Sequence, residues 1–172
     1  MKAIHHVGIT VPDLDQAIEF YNGVLGLEFI NEPSPVFDDP GLGPAVGVPG
    51  GALRQVSLAL GDSMVELLEY TRPAAPNDSP LPQNGFGAQH MAFEVEDVAA
   101  RKRELEARGV EFLSEVNVVD DGVLAGWRWV YFRDPFGIVL ELVEVAYTKP
   151  EERAQGIAAY LAAKAGASAG QN

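Results

Sequence analysis

One pattern occurs twice in this chain, and a repeat limits the architecture before any single motif does. Set His6 against His90. "HVGITVPDLDQAIEFYNGVLGLEF" then lies over "HMAFEVEDVAARKRELEARGVEF", with a one-residue gap near the helix end. Val7, Ile9 and Val11 fall on Met91, Phe93 and Val95; Asp13 falls on Asp97, Gly26 on Gly109 and Phe29 on Phe112. Further on, "GDSMVELLEY" (61–70) matches "FGIVLELVEV" (136–145), with Glu66 over Glu141 and Glu69 over Glu144. Matches in the same order along both halves read as two tandem modules, not as chance.

The modules are placed at 1–72 and 88–147, with a linker at 73–87 rich in Pro, Asn, Asp and Gly and a tail at 148–172. Each module reads as strand, helix and three strands, an α+β arrangement of two βαβββ units. The first strands alternate with period two. Asp13 and Asp97 suit helix N-caps, with Gln16 as a capping-box partner for Asp13. Leu14, Ala17/Ile18, Tyr21 and Leu25 form one apolar face in the first helix; Val98 and Leu105 face inward in the second. Gly26 and Gly109 suit helix C-termini. "YFRDPFGIVLEL" reads as a hairpin. The tail predicts one more helix, about 149–165, packing through Ile157, Tyr160 and Leu161.

The 172 residues include no cysteine, which removes disulfides, thiolate catalysis and Cys-based zinc sites. Any metal must be held by nitrogen and oxygen. With 25 acidic and 12 basic residues the formal net charge is −13, which argues against nucleic acid and anionic membranes as partners. No apolar run approaches the ~20 residues of a membrane helix, and the N-terminus shows no apolar signal region. A cytoplasmic location is the expectation.

Alternation assigns directions to the side chains. Val7, Ile9 and Val11 should lie under the first helix, leaving His6, Gly8 and Thr10 on the other face. Met91, Phe93 and Val95 do the same in the second module, leaving His90, Ala92 and Glu94. His5 shares the face of Val7, so His6 is the better ligand of the adjacent pair. Glu66 and Glu141 each sit in the middle of an apolar strand, where a carboxylate is costly unless paired or metal-bound. Glu69 and Glu144 fall on the opposite faces and read as solvated. If the two modules pair around a pseudo-twofold axis, His6, Glu66, His90 and Glu141 form a four-ligand set. Two imidazoles and two carboxylates suit one divalent ion per chain: Zn, Ni, Co, Mn or Fe(II).

The segments "HHVGITVPDLDQAIEFYNGVLGLEF" and "FRDPFGIVLELVE" resemble the vicinal oxygen chelate superfamily, which includes glyoxalase I, methylmalonyl-CoA epimerase, bleomycin-resistance proteins and extradiol dioxygenases. The resemblance runs from residue 4 to about 146. It implies paired βαβββ modules closing a cupped mixed sheet, and often a homodimer. The family's first-strand ligand falls on His6 and its fourth-strand ligand on Glu66; the second module supplies His90 and Glu141. This His/Glu/His/Glu set resembles glyoxalase I, whereas methylmalonyl-CoA epimerase usually has glutamine at the position of Glu66. Two departures stand out. "GVLAGWRWVYF" does not resemble the glutathione-contacting region of glyoxalase I. The first module also carries a Pro/Gly-rich insertion at 30–53, so that Phe29 to Glu66 spans 37 positions against 29 from Phe112 to Glu141. Such a loop serves as a lid or specificity element, or as a passive surface insertion.

The resulting expectation is a divalent-metal enzyme that chelates a small oxygenated carbonyl substrate and moves a proton through an enediolate or enolate, as a lyase, isomerase or epimerase. Glu141 is the candidate base and Glu66 its symmetric partner. Thr10, Glu94, Tyr70, Trp127 and Trp129 are candidate substrate-lining residues. Two alternatives remain open. One is an Fe(II) dioxygenase using two histidines and one glutamate; the other is a metal-free ligand-sequestering protein.

Overall fold

The computed structural model describes residues 4–145 and, in the tail, 154–156, 158, 159 and 162. In the first copy of the repeat, β1 (Val7–Thr10) leads to α1 (Leu14–Ile18), which runs on as a π-helical stretch (Glu19–Val24). Then come β2 (Glu28–Phe29), a short α2 (Leu42–Ala45), β3 (Ala52–Leu60) and β4 (Ser63–Arg72). The second copy has β5 (Met91–Glu94), α3 (Val98–Ala107), β6 (Asn117–Val118), β7 (Arg128–Arg133) and β8 (Val139–Glu144). The fold is α+β, with two four-stranded mixed sheets ordered β1-β4-β3-β2 and β5-β8-β7-β6. In each, the first strand runs parallel to the last and the other pairs are antiparallel. No helix or strand lies between Arg72 and Met91. The chain divides into two units, Met1–Ala88 with Asp134–Ile138, and Gln89–Arg133 with Val139–Asn172. The turn between β7 and β8 thus belongs with the first unit.

The helix starts follow from the aspartates. Asp13 Oδ1 accepts from Gln16 N–H at 2.9 Å, and Asp97 Oδ1 accepts from Ala100 N–H at 2.8 Å. Glu69 and Glu144, expected to be solvated, instead serve the same helices. The Leu14 N–H donates to Glu69 Oε2 at 3.4 Å, and the Val98 N–H donates to Glu144 Oε2 at 3.0 Å. The first turn of a helix leaves N–H groups unpaired and carries positive partial charge, so a carboxylate from the neighbouring strand is well placed there. Gly26 and Gly109 end the helices at φ +88 and +86, a region that costs side-chain-bearing residues about 1–2 kcal/mol.

The one-residue gap in the repeat has a physical form. Leu25 N–H donates to the Phe20 carbonyl, five residues back, and this wider turn absorbs the extra residue before Gly26. It also rotates the buried face: Phe20 joins Leu14, Ala17 and Tyr21 in the core, while Leu25 is only partly buried.

Each sheet covers its helix with one face. Val56, Leu58 and Leu67 pack with Leu14 and Tyr21 in the first unit, and Val130, Phe132, Leu140 and Leu142 with Val98 and Leu105 in the second; all are 2% exposed or less. Burial of each such side chain contributes about 1.5–3 kcal/mol. The other face of each sheet carries Glu66 in the first unit and Glu141 in the second. The insertion runs along β3, where Ile30 N–H donates to the Ser57 carbonyl and Ser34 N–H to the Gln55 carbonyl, both at 2.9 Å, and Phe37 bridges Leu53. It extends the sheet edge.

Of the expected tail helix, 154–156, 158, 159 and 162 are helical; Ile157, Tyr160 and Leu161, its expected packing stripe, lie outside the described residues. Among the described residues no helix is long and apolar enough to cross a membrane.

Candidate active site

In the first unit Gly8 pairs with Glu66 across the parallel β1–β4 ladder. His6, two residues before Gly8, shares its face, and His6 Nε2 lies 3.9 Å from Glu66 Oε2. The two side chains are 44% and 29% exposed. His5 Nδ1 and His6 Nδ1 are 2.9 Å apart, so the neighbouring ring occupies the nitrogen of His6 that points away from Glu66. On the other side of β4, Ser57 stands opposite Glu66. In the next row, Thr10 and Gln55 flank Leu68, and Gln55 Oε1 is buried without a hydrogen-bond partner among the described residues.

The second unit repeats this register. Ala92 pairs with Glu141, and His90 Nε2 lies 3.1 Å from Glu141 Oε2. Here the glutamate side chain is only 14% exposed. Tyr131 stands opposite Glu141 on β7, where the first unit has Ser57. The Tyr131 ring packs edge-on against His90 at 5.0 Å between centroids, and Trp129 packs against Tyr131 at 5.2 Å. Burial pushes the Glu141 carboxyl above the usual carboxylate range, against the opposing pull of His90. Burial, and then the Glu141 charge, raise the Tyr131 phenol.

Two donors bound to one ion at about 2.1 Å and near a right angle stand about 3 Å apart. The spacing of His90 and Glu141 fits such sharing, and the wider His6–Glu66 spacing needs a small side-chain rotation. The donor types, imidazole nitrogen and carboxylate oxygen, suit a divalent ion of the zinc-to-iron series. Among the described residues no group of three or more His, Asp or Glu side chains is gathered around one point. What the structure brings together is therefore two donor pairs.

The expected lining residues fall in different places. Thr10 and Tyr70 line a cavity of about 490 Å³ in the first unit, with residues of the linker and of the β7–β8 turn. Glu94 is exposed at the end of β5, on the face of Glu141, and Trp129 joins the aromatic group beside His90. Trp127 precedes β7 and is partly exposed. Tyr131, Ser57 and Gln55, which stand beside the His–Glu pairs, are not among the site residues expected from the sequence. The signal was present in hairpin counting. Equal steps back from the Gly61–Asp62 turn put Ser57 opposite Glu66, and equal steps from the Asp134–Ile138 turn put Tyr131 opposite Glu141.

That turn is itself built around a buried carboxylate. Asp134 Oδ1 accepts from the Phe136 and Ile138 N–H groups at 2.9 and 2.8 Å, and Tyr21 Oη donates to Asp134 Oδ2 at 3.2 Å. Asp134 is 5% exposed, and burial raises its pKa against those hydrogen bonds.

The description "Glyoxalase/Bleomycin resistance protein/Dioxygenase superfamily" matches residues 3–142 of this chain. A 2-epi-5-epi-valiolone epimerase of Actinomyces sp is 38% identical over 164 residues, 92% of this chain and 87% of that protein. The mitochondrial methylmalonyl-CoA epimerase of Bos taurus is 30% identical over 113 residues, 65% of this chain and 57% of that protein. A glyoxalase family protein from Bacillus cereus has a crystal structure that superposes with a TM-score of 0.69 at 25% identity, covering 84% of this chain and 95% of that one.

Proposed function

This chain belongs to the glyoxalase/bleomycin resistance protein/dioxygenase superfamily, and we propose that it is a metal-dependent epimerase acting on the carbon next to a carbonyl. One observation carries the reading: a His–Glu pair recurs at equivalent register positions in both units. The relatives named as epimerases favour this reaction over the lyase and dioxygenase readings.

His6, Glu66, His90 and Glu141 would hold one divalent ion per chain. Such an ion would supply Lewis-acid stabilisation of the negative charge that develops on the carbonyl oxygen. Glu141 takes the α-proton. Its partly buried carboxylate, held above the usual range, is a stronger base than a solvated one. Inversion then needs a proton returned to the opposite face of the same carbon; Glu66, the equivalent carboxylate of the first unit, would deliver it after being protonated by solvent, while Glu141 releases its own proton to solvent. His90 orients Glu141 from 3.1 Å, and the aromatic group of Tyr131 and Trp129 keeps water from that side.

The test is to strip the protein with chelator, reload it with each divalent ion, and follow α-proton exchange in heavy water. 2-epi-5-epi-valiolone and methylmalonyl-CoA, the compounds of the relatives' names, are the first substrates to try. One bound ion per chain and metal-dependent exchange are expected. Full exchange by the stripped protein would overturn the reading.

A further inference from the structure

Those two compounds pose the same proton-transfer problem with very different bodies. One is a neutral ring bearing hydroxyls; the other carries the phosphates of coenzyme A. The cavity of the first unit distinguishes them. Its volume of about 490 Å³ falls within the ~300–1,000 Å³ typical of small-molecule sites. Thr10 and Tyr70 lie on the face that carries Glu66, and Tyr70 stands four positions along β4 from Glu66, a span of about 13 Å at ~3.3 Å per residue. The cavity therefore lies further along the face that carries Glu66, which is not among its lining residues.

Its walls differ in chemistry. The linker contributes Asp78 and Ser79, and the β7–β8 turn contributes Phe136 and Ile138. Within the linker Asn77 Nδ2 donates to the Ser79 carbonyl at 2.6 Å, and on the other side the Tyr21–Asp134 hydrogen bond anchors the turn. The lining includes one carboxylate, Asp78, and neither lysine nor arginine. A phosphate here would meet a like charge with no lining cation to offset it, in a chain of net charge −13. A neutral polyol instead donates hydroxyl hydrogens to Asp78, in charge-assisted bonds stronger than neutral ones. The C–H face of its ring can lie on Phe136 and Ile138.

We propose that this cavity is the substrate-recognition pocket for a neutral polyhydroxylated cyclic ketone, with Asp78 accepting its hydroxyls and Phe136 and Ile138 covering its apolar face. The assignment rests on the epimerase reading for the chemistry that follows binding.

The test uses the full metal-loaded chain, with 2-epi-5-epi-valiolone and methylmalonyl-CoA as probes. Binding is read by ligand-detected NMR and turnover by α-proton exchange. 2-epi-5-epi-valiolone should bind more tightly than methylmalonyl-CoA. Asp78→Ala should raise Kd and KM for 2-epi-5-epi-valiolone about 10–100-fold, leaving kcat within about threefold and metal content unchanged. Phe136→Ala, on the opposite wall, should weaken binding as well. Unchanged Kd in both variants, no binding of 2-epi-5-epi-valiolone, or preference for methylmalonyl-CoA would each overturn the assignment. The two readings fail separately. Binding that responds to Asp78→Ala without any proton exchange removes the epimerase and keeps the pocket; exchange indifferent to both variants does the reverse.

Discussion

The two His–Glu pairs occupy the same register positions and differ in what stands across the strand. Beside Glu66 is Ser57, the histidine is 3.9 Å away, and the glutamate side chain is 29% exposed. Beside Glu141 is Tyr131, the histidine is 3.1 Å away, and the exposure is 14%. The repeat sets where the donors go. The pairs differ in exposure, and burial holds the Glu141 carboxyl above its ordinary range. Two unequal pairs are what the proposed reaction, which removes a proton and then returns one, would use.

The largest effect should come from removing each carboxylate. Glu141→Gln should lower both epimerisation and α-proton exchange by about 10²–10⁴-fold. Glu66→Gln should lower epimerisation to a similar degree, yet retain exchange for the epimer whose proton Glu141 removes. Metal content measured beside deuterium wash-in separates lost chemistry from a lost ion. Equal loss of exchange in both variants would erase the proposed division of labour.

The next effect concerns the turns that set the two registers. The β3–β4 turn is two residues long, whereas the β7–β8 turn is built on Asp134 and its bond to Tyr21. Tyr21→Phe leaves a buried carboxylate oxygen without its hydroxyl donor, at a cost of about 1–3 kcal/mol. Melting should fall by roughly 2–4 °C per kcal/mol for a chain of this size. Because the same turn carries Phe136 and Ile138, affinity for a ligand in the first-unit cavity should fall with it. Unchanged melting would show that the turn does not need this anchor.

A smaller effect follows from exchanging the cross-strand neighbours. In chelator-treated protein burial disfavours the charged form of Glu141, which is therefore protonated as pH falls through a raised value. Tyr131→Ser admits water and should move that titration, followed by NMR, to lower pH, towards the ordinary glutamate value of about 4.3. Ser57→Tyr in the other unit should leave it in place. Stability carries the same sign. In chelator-treated protein, a carboxyl raised on folding contributes stability that is full below its unfolded value and lost as pH rises through the folded one. Glu141→Gln should therefore raise melting at neutral pH, and the gain should vanish near pH 4.

Much of this was legible in the sequence because it rests on local rules. The repeat, the aspartate caps, the glycine stops and the alternation that separates His6 from His5 all depend on residues within a few positions of one another. The π-helical stretch was visible only as a gap, since a one-residue insertion can be absorbed by a wider turn or by a loop. Tyr131 needed the hairpin register, which fixes a partner ten residues away. The cavity had no signal in the sequence. Its walls are a linker without periodicity and a turn that packs with the first unit although it connects strands of the second.

Glu69 and Glu144 test the comparison from the side on which the halves should agree. Read as solvated from strand alternation, both hold the first N–H of a helix in the same module. Neither takes part in the proposed chemistry, so their loss should be felt as stability, by about 0.5–2 kcal/mol each, as for other helix caps. The Glu144 bond is the shorter, at 3.0 Å against 3.4 Å, while both glutamates also face an arginine, Glu69 at 3.5 Å from Arg54 and Glu144 at 3.9 Å from Arg128. Such partly exposed pairs contribute little, and less at high salt. Glu144→Ala should therefore lower melting more than Glu69→Ala, and raised salt should narrow both deficits, that of Glu69, whose pair is closer, the more. Equal losses with equal salt dependence would mean that the helix N-termini draw on the nearby charge as such, with the direct bond adding nothing.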